Sequence, residues 1–206
     1  MKPADRQGRI SQAIQHLSTQ LLDLAASSWQ RFKEQPEVAQ EIAKDPFTSD
    51  EKEQAVTAEL LIFLLHACDR VASATFSAAL SSTQRASALR TSFMSALVGV
   101  TIPAFAQLAC PEEETEEQAE TQADLLYLYN TRAMQYGFFS LGAERTANDQ
   151  EALFTLAGIR IAEALDCPGN AVVIGHSTDT ILASLTTLRE QLPLKNTIAE
   201  LIAGAQ

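Results

Sequence analysis

The chain is poor in the residues that build metal centres, disulfide frameworks and tight turns. It has 3 histidines and 3 cysteines, and Cys68, Cys110 and Cys167 stand far apart. Their spacing fits neither a zinc site nor a disulfide framework, so we expect reduced thiols in a cytoplasmic protein. With only 8 glycines and 7 prolines among 206 residues, the composition favours long uninterrupted elements.

Basic residues are also scarce. There are 15 Lys and Arg against 26 Asp and Glu, which gives a net charge of −11 and a sequence pI near 4.7. Such a charge repels nucleic acids and anionic membrane surfaces, so neither is an expected partner. No wholly apolar run approaches the roughly 18 residues that a membrane span needs. The first residues, MKPADRQGRISQAIQ, lack the apolar core of a signal peptide.

Motifs that would assign a reaction are missing as well. The sequence contains no phosphate-binding loop, no dinucleotide fingerprint, no HExxH and no nucleophile elbow. The pairs of Glu-x-x-His that mark a di-iron bundle are absent too. We therefore expect no cofactor and no dedicated metal site. One alternative stays open, in which His66 and carboxylates from distant parts of the chain hold a metal.

What the sequence does contain is helical periodicity from end to end. Apolar residues recur every three or four positions, and no two segments qualify as pairing strands. We predict one all-α domain over residues 1–206, an antiparallel bundle of about seven or eight helices with a long central helix at about 49–80. A capping pattern at Thr48 marks the start of that helix, and Asn170 caps a helix over about 171–192. Gly99 and Pro103 predict a kink or an end in the helix that follows the central one.

The N-terminal helix, predicted over residues 5–34, has a narrow apolar seam. The steps between its apolar residues alternate between four and three, as in a coiled coil or a bundle seam. We therefore interpret this helix as a packing or oligomerisation arm, and self-association into a homo-oligomer is a plausible consequence. The seam residues are Ile10, Ile14, Leu17, Leu21 and Leu24.

The central stretch Glu59–Arg70, ELLIFLLHACDR, combines an apolar block with a line of polar residues. Residues 60–65 are all apolar, whereas Glu59, His66 and Arg70 fall close to one line along the helix. Together with Asp69 they include the groups needed for acid–base chemistry. Flanking apolar residues predict that Glu59 and His66 are partly buried and need partners. The alternative is an exposed helix edge on which Asp69 and Arg70 pair with neighbouring elements.

A second polar set lies on the helix predicted to run from about residue 111 to about 141. Tyr129, Arg132 and Tyr136 share one face at i, i+3 and i+7. Phenol rings and a guanidinium can line a pocket for an anionic or aromatic ligand. The alternative is ordinary amphipathic packing, with the rings in the core and the hydroxyls at its rim.

Two functional hypotheses follow. The leading one is a non-catalytic, scaffold-like or chaperone-like protein that binds a partner protein or itself, because no catalytic motif is present. The second is a small-molecule-binding or enzymatic bundle, in which Glu59, His66 and Arg70 face the second polar set across an internal cavity. The surroundings of His66 distinguish them: a polar cavity favours the second hypothesis, and open solvent favours the first.

Overall fold

A computed structural model describes residues 3–45, 48–111, 115–137 and 147–205, and in these residues the chain forms α-helices and no β-strand. The predicted all-α bundle and its long central helix are confirmed. The predicted extension of the fifth helix to about residue 141 lies outside the described residues. The helices are α1 (Pro3–Lys33), α2 (Pro36–Ala43), α3 (Ser49–Ala79), α4 (Thr83–Ala109), α5 (Thr115–Gly137), α6 (Ala147–Ala164), α7 (Ala171–Glu190) and α8 (Leu194–Ala205).

Helix α3 is the centre of the bundle. It packs against α1, α4, α5, α6, α7 and α8, and every residue from Ala58 to His66 is buried. A helix that is apolar nearly all round must be covered on every side, which explains why so many helices surround this one. Because the buried run includes Glu59 and His66, this part of the polar line predicted on α3 is enclosed, whereas Arg70 is half-buried.

The apolar seam of α1 is used inside the chain. Ile14, Leu17, Leu21 and Leu24 are buried in the common core, and Ile10 packs against it. Helices α3, α4, α7 and α8 of the same chain cover this helix. The seam is therefore a packing surface of the bundle, and any self-association has to use another face.

Helix α4 continues through both residues that predicted a kink or an end. Gly99 and Pro103 lie within the helix, which ends at Ala109. Leu97, Ile102 and Phe105 are buried around the proline, and this burial offsets the roughly 3 kcal/mol that a proline costs inside a helix. Among the described residues, α4 alone is long and apolar enough to cross a membrane, and 44% of its most apolar window is buried inside the bundle.

The two predicted helix caps have different outcomes. The Asn170 side chain accepts hydrogen bonds from the backbone N–H groups of Val172 and Val173, at 3.1 and 3.2 Å, so its predicted role is confirmed. The capping pattern at Thr48 is confirmed as the position where α3 starts, but not as a side-chain cap. The Thr48 hydroxyl makes no cap and donates to the carbonyl of Asp45 at 3.3 Å, although α3 does begin at the next residue.

Helices α6 and α7 pack closely at a glycine. Gly158 is buried on α6, where an added Cβ would lie 2.6 Å from the Thr178 hydroxyl and 2.9 Å from the carbonyl oxygen of Ile174. Only a residue without a side chain allows the two backbones to approach this closely. Together α6 and α7 form one surface, and both helices contact α3.

Candidate functional site

A buried ion pair joins α3 to α5. The carboxylate of Glu59 is 6% exposed and accepts hydrogen bonds from the Arg132 guanidinium, whose Nε lies 3.1 and 3.0 Å from the two carboxylate oxygens. A further bond runs from Arg132 to the Gln135 amide oxygen at 3.0 Å. Burial acts to lower the pKa of Arg132, but the hydrogen bonds and charge of Glu59 outweigh it and raise that pKa. Arg132 therefore stays charged and paired with the Glu59 side chain.

Two tyrosine rings of α5 enclose His66. The Tyr129 ring stacks on the imidazole with centroids 4.8 Å apart and planes 1° apart, and Tyr136 meets it edge-on at 5.3 Å. Tyr136 also meets the Phe63 ring edge-on at 5.6 Å. Burial raises the pKa of Tyr129 to about 12, with the charge of Asp69 acting in the same direction. These phenols are therefore protonated at any physiological pH.

His66 is a neutral, buried imidazole with one unsatisfied nitrogen. Burial lowers its pKa to about 4, against the opposing effects of a hydrogen bond with the Tyr129 backbone and of the Asp69 charge. Its Nε2 is shielded from solvent and has no hydrogen-bond partner among the described residues.

Arg70 and Asp69 are adjacent in sequence but have different partners. The Arg70 guanidinium donates to the carbonyl oxygen of Tyr136 at 2.5 Å, which ties the last turn of α5 to α3. Asp69 accepts two bonds from Arg90 of α4, at 2.6 and 2.5 Å. Asp69 is therefore held on the α4 side of α3 by Arg90, whereas Arg70 is bound to α5, so the acid–base set suggested by the sequence is divided.

A cavity of about 420 Å³ lies between α3, α5, α6 and α7. Most of its wall is apolar, His66 and Arg70 contribute from α3, and Arg189 and Thr186 contribute from α7. The size and the few polar groups are typical of small-molecule sites. The lining residues are Phe63, His66, Ala67, Arg70, Val71, Ala74, Tyr136, Leu153, Phe154, Leu182, Leu185, Thr186, Leu188 and Arg189.

The structure thus brings residues of the two predicted polar sets together. Some of them line the cavity, and the others form the ion pair or cover His66. His66, Arg70 and Tyr136 line the cavity, whereas Glu59 and Arg132 form the ion pair and Tyr129 covers His66 from the other face. The contributions of α6 and α7 were missed in the sequence. On α7 the only signal is the helical spacing of Leu182, Leu185 and Arg189, which any amphipathic helix shares.

Metal ligands and reactive thiols do not add to this site. No group of three or more His, Cys, Asp and Glu side chains that could hold a metal occurs within the described ranges. Cys68 lies on α3 but is fully buried, and burial raises the pKa of its thiol. Such a thiol is a packing residue and a poor nucleophile.

Comparison of the chain with protein-family models, with curated proteins and with solved structures finds no match. The function has to be argued from the cavity and the residues around it.

Proposed function

We propose that the chain is a small-molecule-binding helical bundle and that its site is the cavity between α3, α5, α6 and α7. The observation that carries the proposal is a cavity of about 420 Å³ whose wall includes the buried His66. The space is partly open to solvent, since Leu182, Thr186 and Arg189 of its wall are exposed. Its size and its mostly apolar wall with few polar groups are typical of small-molecule clefts.

The unsatisfied nitrogen of His66 supports the same function. A buried polar atom without a hydrogen bond costs roughly 1–3 kcal/mol, and Nε2 of His66 has no partner within the described part of the chain. A ligand group that formed a hydrogen bond with Nε2 would offset this cost. Since the nitrogen is shielded from solvent, a ligand group reaches it only when the cavity wall shifts.

Binding fits the geometry better than catalysis does. An effective general base has a pKa near the working pH, whereas the pKa of His66 is lowered to about 4. The two carboxylates nearest in sequence, Glu59 and Asp69, are engaged by Arg132 and Arg90. None of these groups is set up to move a proton at neutral pH.

A neutral apolar dye such as Nile red tests this proposal, because its fluorescence rises in an apolar site. We expect saturable binding to the wild-type chain and a loss of at least tenfold in affinity in Ala67→Phe, which fills the cavity. Ala78→Phe is the matched control, since Ala78 is an exposed residue of the same helix and does not line the cavity. Equal binding to all three proteins, each with an intact thermal transition, would reject the cavity as the site.

Self-association is a second candidate, supported by the outer face of α5. Leu126, Tyr127 and Met134 are 43%, 75% and 68% exposed, and at 100° per residue they share an arc of about 100°. These three side chains are uncharged, and two copies with a charge of −11 each repel one another less where uncharged side chains meet than where acidic ones do. Light scattering tests this: a dimer that Tyr127→Glu converts to a monomer supports it, and a wild-type monomer at high concentration rejects it.

A further inference from the structure

The wall of the cavity contains a continuous row of four rings from three helices. Phe154 of α6 meets Phe63 of α3 edge-on, with centroids 6.3 Å apart. Phe63 in turn meets Tyr136 of α5 at 5.6 Å, and Tyr136 meets His66 of α3 at 5.3 Å. All four rings line the cavity. Phe63, His66 and Tyr136 are buried and Phe154 is half-buried, so packing against the bundle holds this row in place.

The described lining offers little to a charged ligand. None of its residues is acidic, so an ammonium group would find no carboxylate among them. Arg70 already donates to the Tyr136 carbonyl and has a further interaction. Arg189 is exposed to solvent, and such a guanidinium contributes little to the binding of an anion. His66 adds no charge at neutral pH, because burial lowers its pKa to about 4.

An aromatic ligand fits this wall better than an aliphatic one. Aromatic rings have a negative face and a positive edge, so they pair edge-to-face or with offset stacking. Such a pair adds a factor of roughly 2 to 10 in affinity beyond the apolar area that it buries. The planes of Phe63 and Phe154 lie 68° apart, and those of Phe63 and Tyr136 lie 78° apart. Because the ring planes differ in this way, a flat ligand ring can meet one of them along its face and another along its edge.

We propose that the ligand is an uncharged aromatic compound whose ring lies against Phe63, Tyr136 and Phe154. The inference rests on the proposed function and specifies its ligand class. Since Phe63 and Tyr136 are buried and in contact with one another, their positions are set before a ligand arrives, which lowers the entropy lost on binding. The ligand ring would then contact α3, α5 and α6 together.

Four competitors of similar size separate this inference from the function on which it rests. They are naphthylmethanol, its saturated counterpart decahydronaphthylmethanol, naphthoate and naphthylmethylammonium. We expect naphthylmethanol to displace Nile red at a concentration about three- to tenfold lower than the saturated alcohol, although the larger apolar surface of the saturated rings would favour the reverse order. Its concentration should be at least about tenfold lower than that of either ion, because a charge taken from water needs a partner.

Variants of phenylalanine identify the contact. Phe154→Leu keeps an apolar side chain and loses the ring, so we expect naphthylmethanol to bind at least about threefold more weakly and the saturated alcohol to change by less than about twofold. Phe105→Leu is the matched control, because Phe105 is a buried residue of α4 that does not line the cavity. Arg189→Gln should leave the binding of both alcohols unchanged.

The outcomes are distinguishable. If Nile red responds to Ala67→Phe but the saturated alcohol competes as well as naphthylmethanol, or if either ion competes best, the aromatic ligand is wrong and the binding function stands. The same holds if Phe154→Leu and Phe105→Leu change the ratio between the two alcohols equally. The competition on the wild-type chain decides the question even if Phe154→Leu does not fold. If Nile red itself is insensitive to Ala67→Phe, the proposed function has failed.

Discussion

The imidazole of His66 and the phenol ring of Tyr129 lie face to face, with centroids 4.8 Å apart and planes 1° apart. With Tyr136 edge-on to the same imidazole, the stack places a titratable group between two rings that stay protonated. A charge on His66 would have to be held there with little water, and this is the physical reason that its pKa lies far below that of an exposed histidine.

The lowered pKa predicts a loss of stability in mild acid. In the folded chain the pKa of His66 is about 4, against an ordinary value of 6.5. Between these two values the unfolded chain binds more protons, so the free energy of unfolding falls as the pH drops below 6.5 and levels off near 4. From pH 7.5 to pH 5 we expect His66 to account for a loss of about 2 kcal/mol, at 1.36 kcal/mol for each pH unit below 6.5.

Urea unfolding of the wild type and of His66→Phe at the two pH values measures this loss. The phenylalanine keeps an aromatic ring and cannot titrate, so its loss on acidification should be smaller by about 2 kcal/mol. A nuclear magnetic resonance titration of the wild type gives the pKa directly and does not depend on the variant folding. A midpoint near 6.5 for His66 would contradict the prediction.

Gly158 is predicted to resist substitution. In Gly158→Ala the new Cβ meets the Thr178 hydroxyl and the Ile174 carbonyl at 2.6 and 2.9 Å, so α6 and α7 must move apart. The gain in helix propensity of about 1 kcal/mol is smaller than the cost of overpacking, and we expect a net destabilisation of about 1–2 kcal/mol. Denaturant unfolding checks this value.

A second glycine of the same pair is the control. Gly175 lies within α7, and a Cβ there meets nothing within 4 Å. Gly175→Ala should therefore stabilise the chain by about 0.5–1 kcal/mol, because only helix propensity changes. Equal effects of the two substitutions would show that the close approach of α6 to α7 at Gly158 is wrong.

The three thiols are predicted to differ in reactivity. Cys110 and Cys167 are half-buried, whereas Cys68 is fully buried. Burial raises the thiol pKa of Cys167 as well as that of Cys68, but Cys68 is also closed off from the reagent. Since the thiolate is the reactive form, Ellman's reagent should label two thiols in the native chain and the third only after unfolding. In Cys68→Ser the labelling that requires unfolding should disappear, and the fast labelling of the other two thiols should remain. Three equally fast thiols would contradict the buried position.

Helical periodicity predicted the elements of the fold better than their assembly. The apolar block of residues 60–65 requires cover on all sides, and the structure provides it. The seam of α1 fits a second chain as well as it fits α3 and α4, because periodicity shows which face is apolar and not what covers it. Gly99 and Pro103 predicted a kink or an end, and α4 does not end there but continues to Ala109. Its packing against α1, α3 and α5 cannot be seen in the local sequence.

The site shows the same limit at the level of single side chains. Spacing placed Glu59, His66 and Arg70 near one line with Asp69 beside it, but the partners of Glu59 and Asp69 come from other helices. Arg132 is 73 positions from Glu59, and Arg90 is 21 positions from Asp69. The sequence therefore indicates which polar groups need partners, whereas the choice of partner depends on how α4 and α5 cross α3.

The ion pair between Glu59 and Arg132 is predicted to couple strongly. Both side chains are nearly buried, at 6% and 11% exposure, so removing one partner leaves an uncompensated charge. Arg132→Met and Glu59→Leu should each cost about 3–5 kcal/mol, while the double variant should cost far less than their sum. Urea unfolding of the four proteins gives the coupling free energy, which we expect to exceed about 2 kcal/mol.

The ion pair between Asp69 and Arg90 is the control for that cycle, because it also joins α3 to a neighbouring helix. Its side chains are 19% and 44% exposed, and solvent screening limits such a pair to about 1 kcal/mol or less. A coupling at Glu59 and Arg132 no larger than this would mean that water reaches the pair and that α5 lies less closely on α3. In that case Tyr129 and Tyr136 would no longer enclose His66, and the lowered pKa of His66 would be lost with the ion pair.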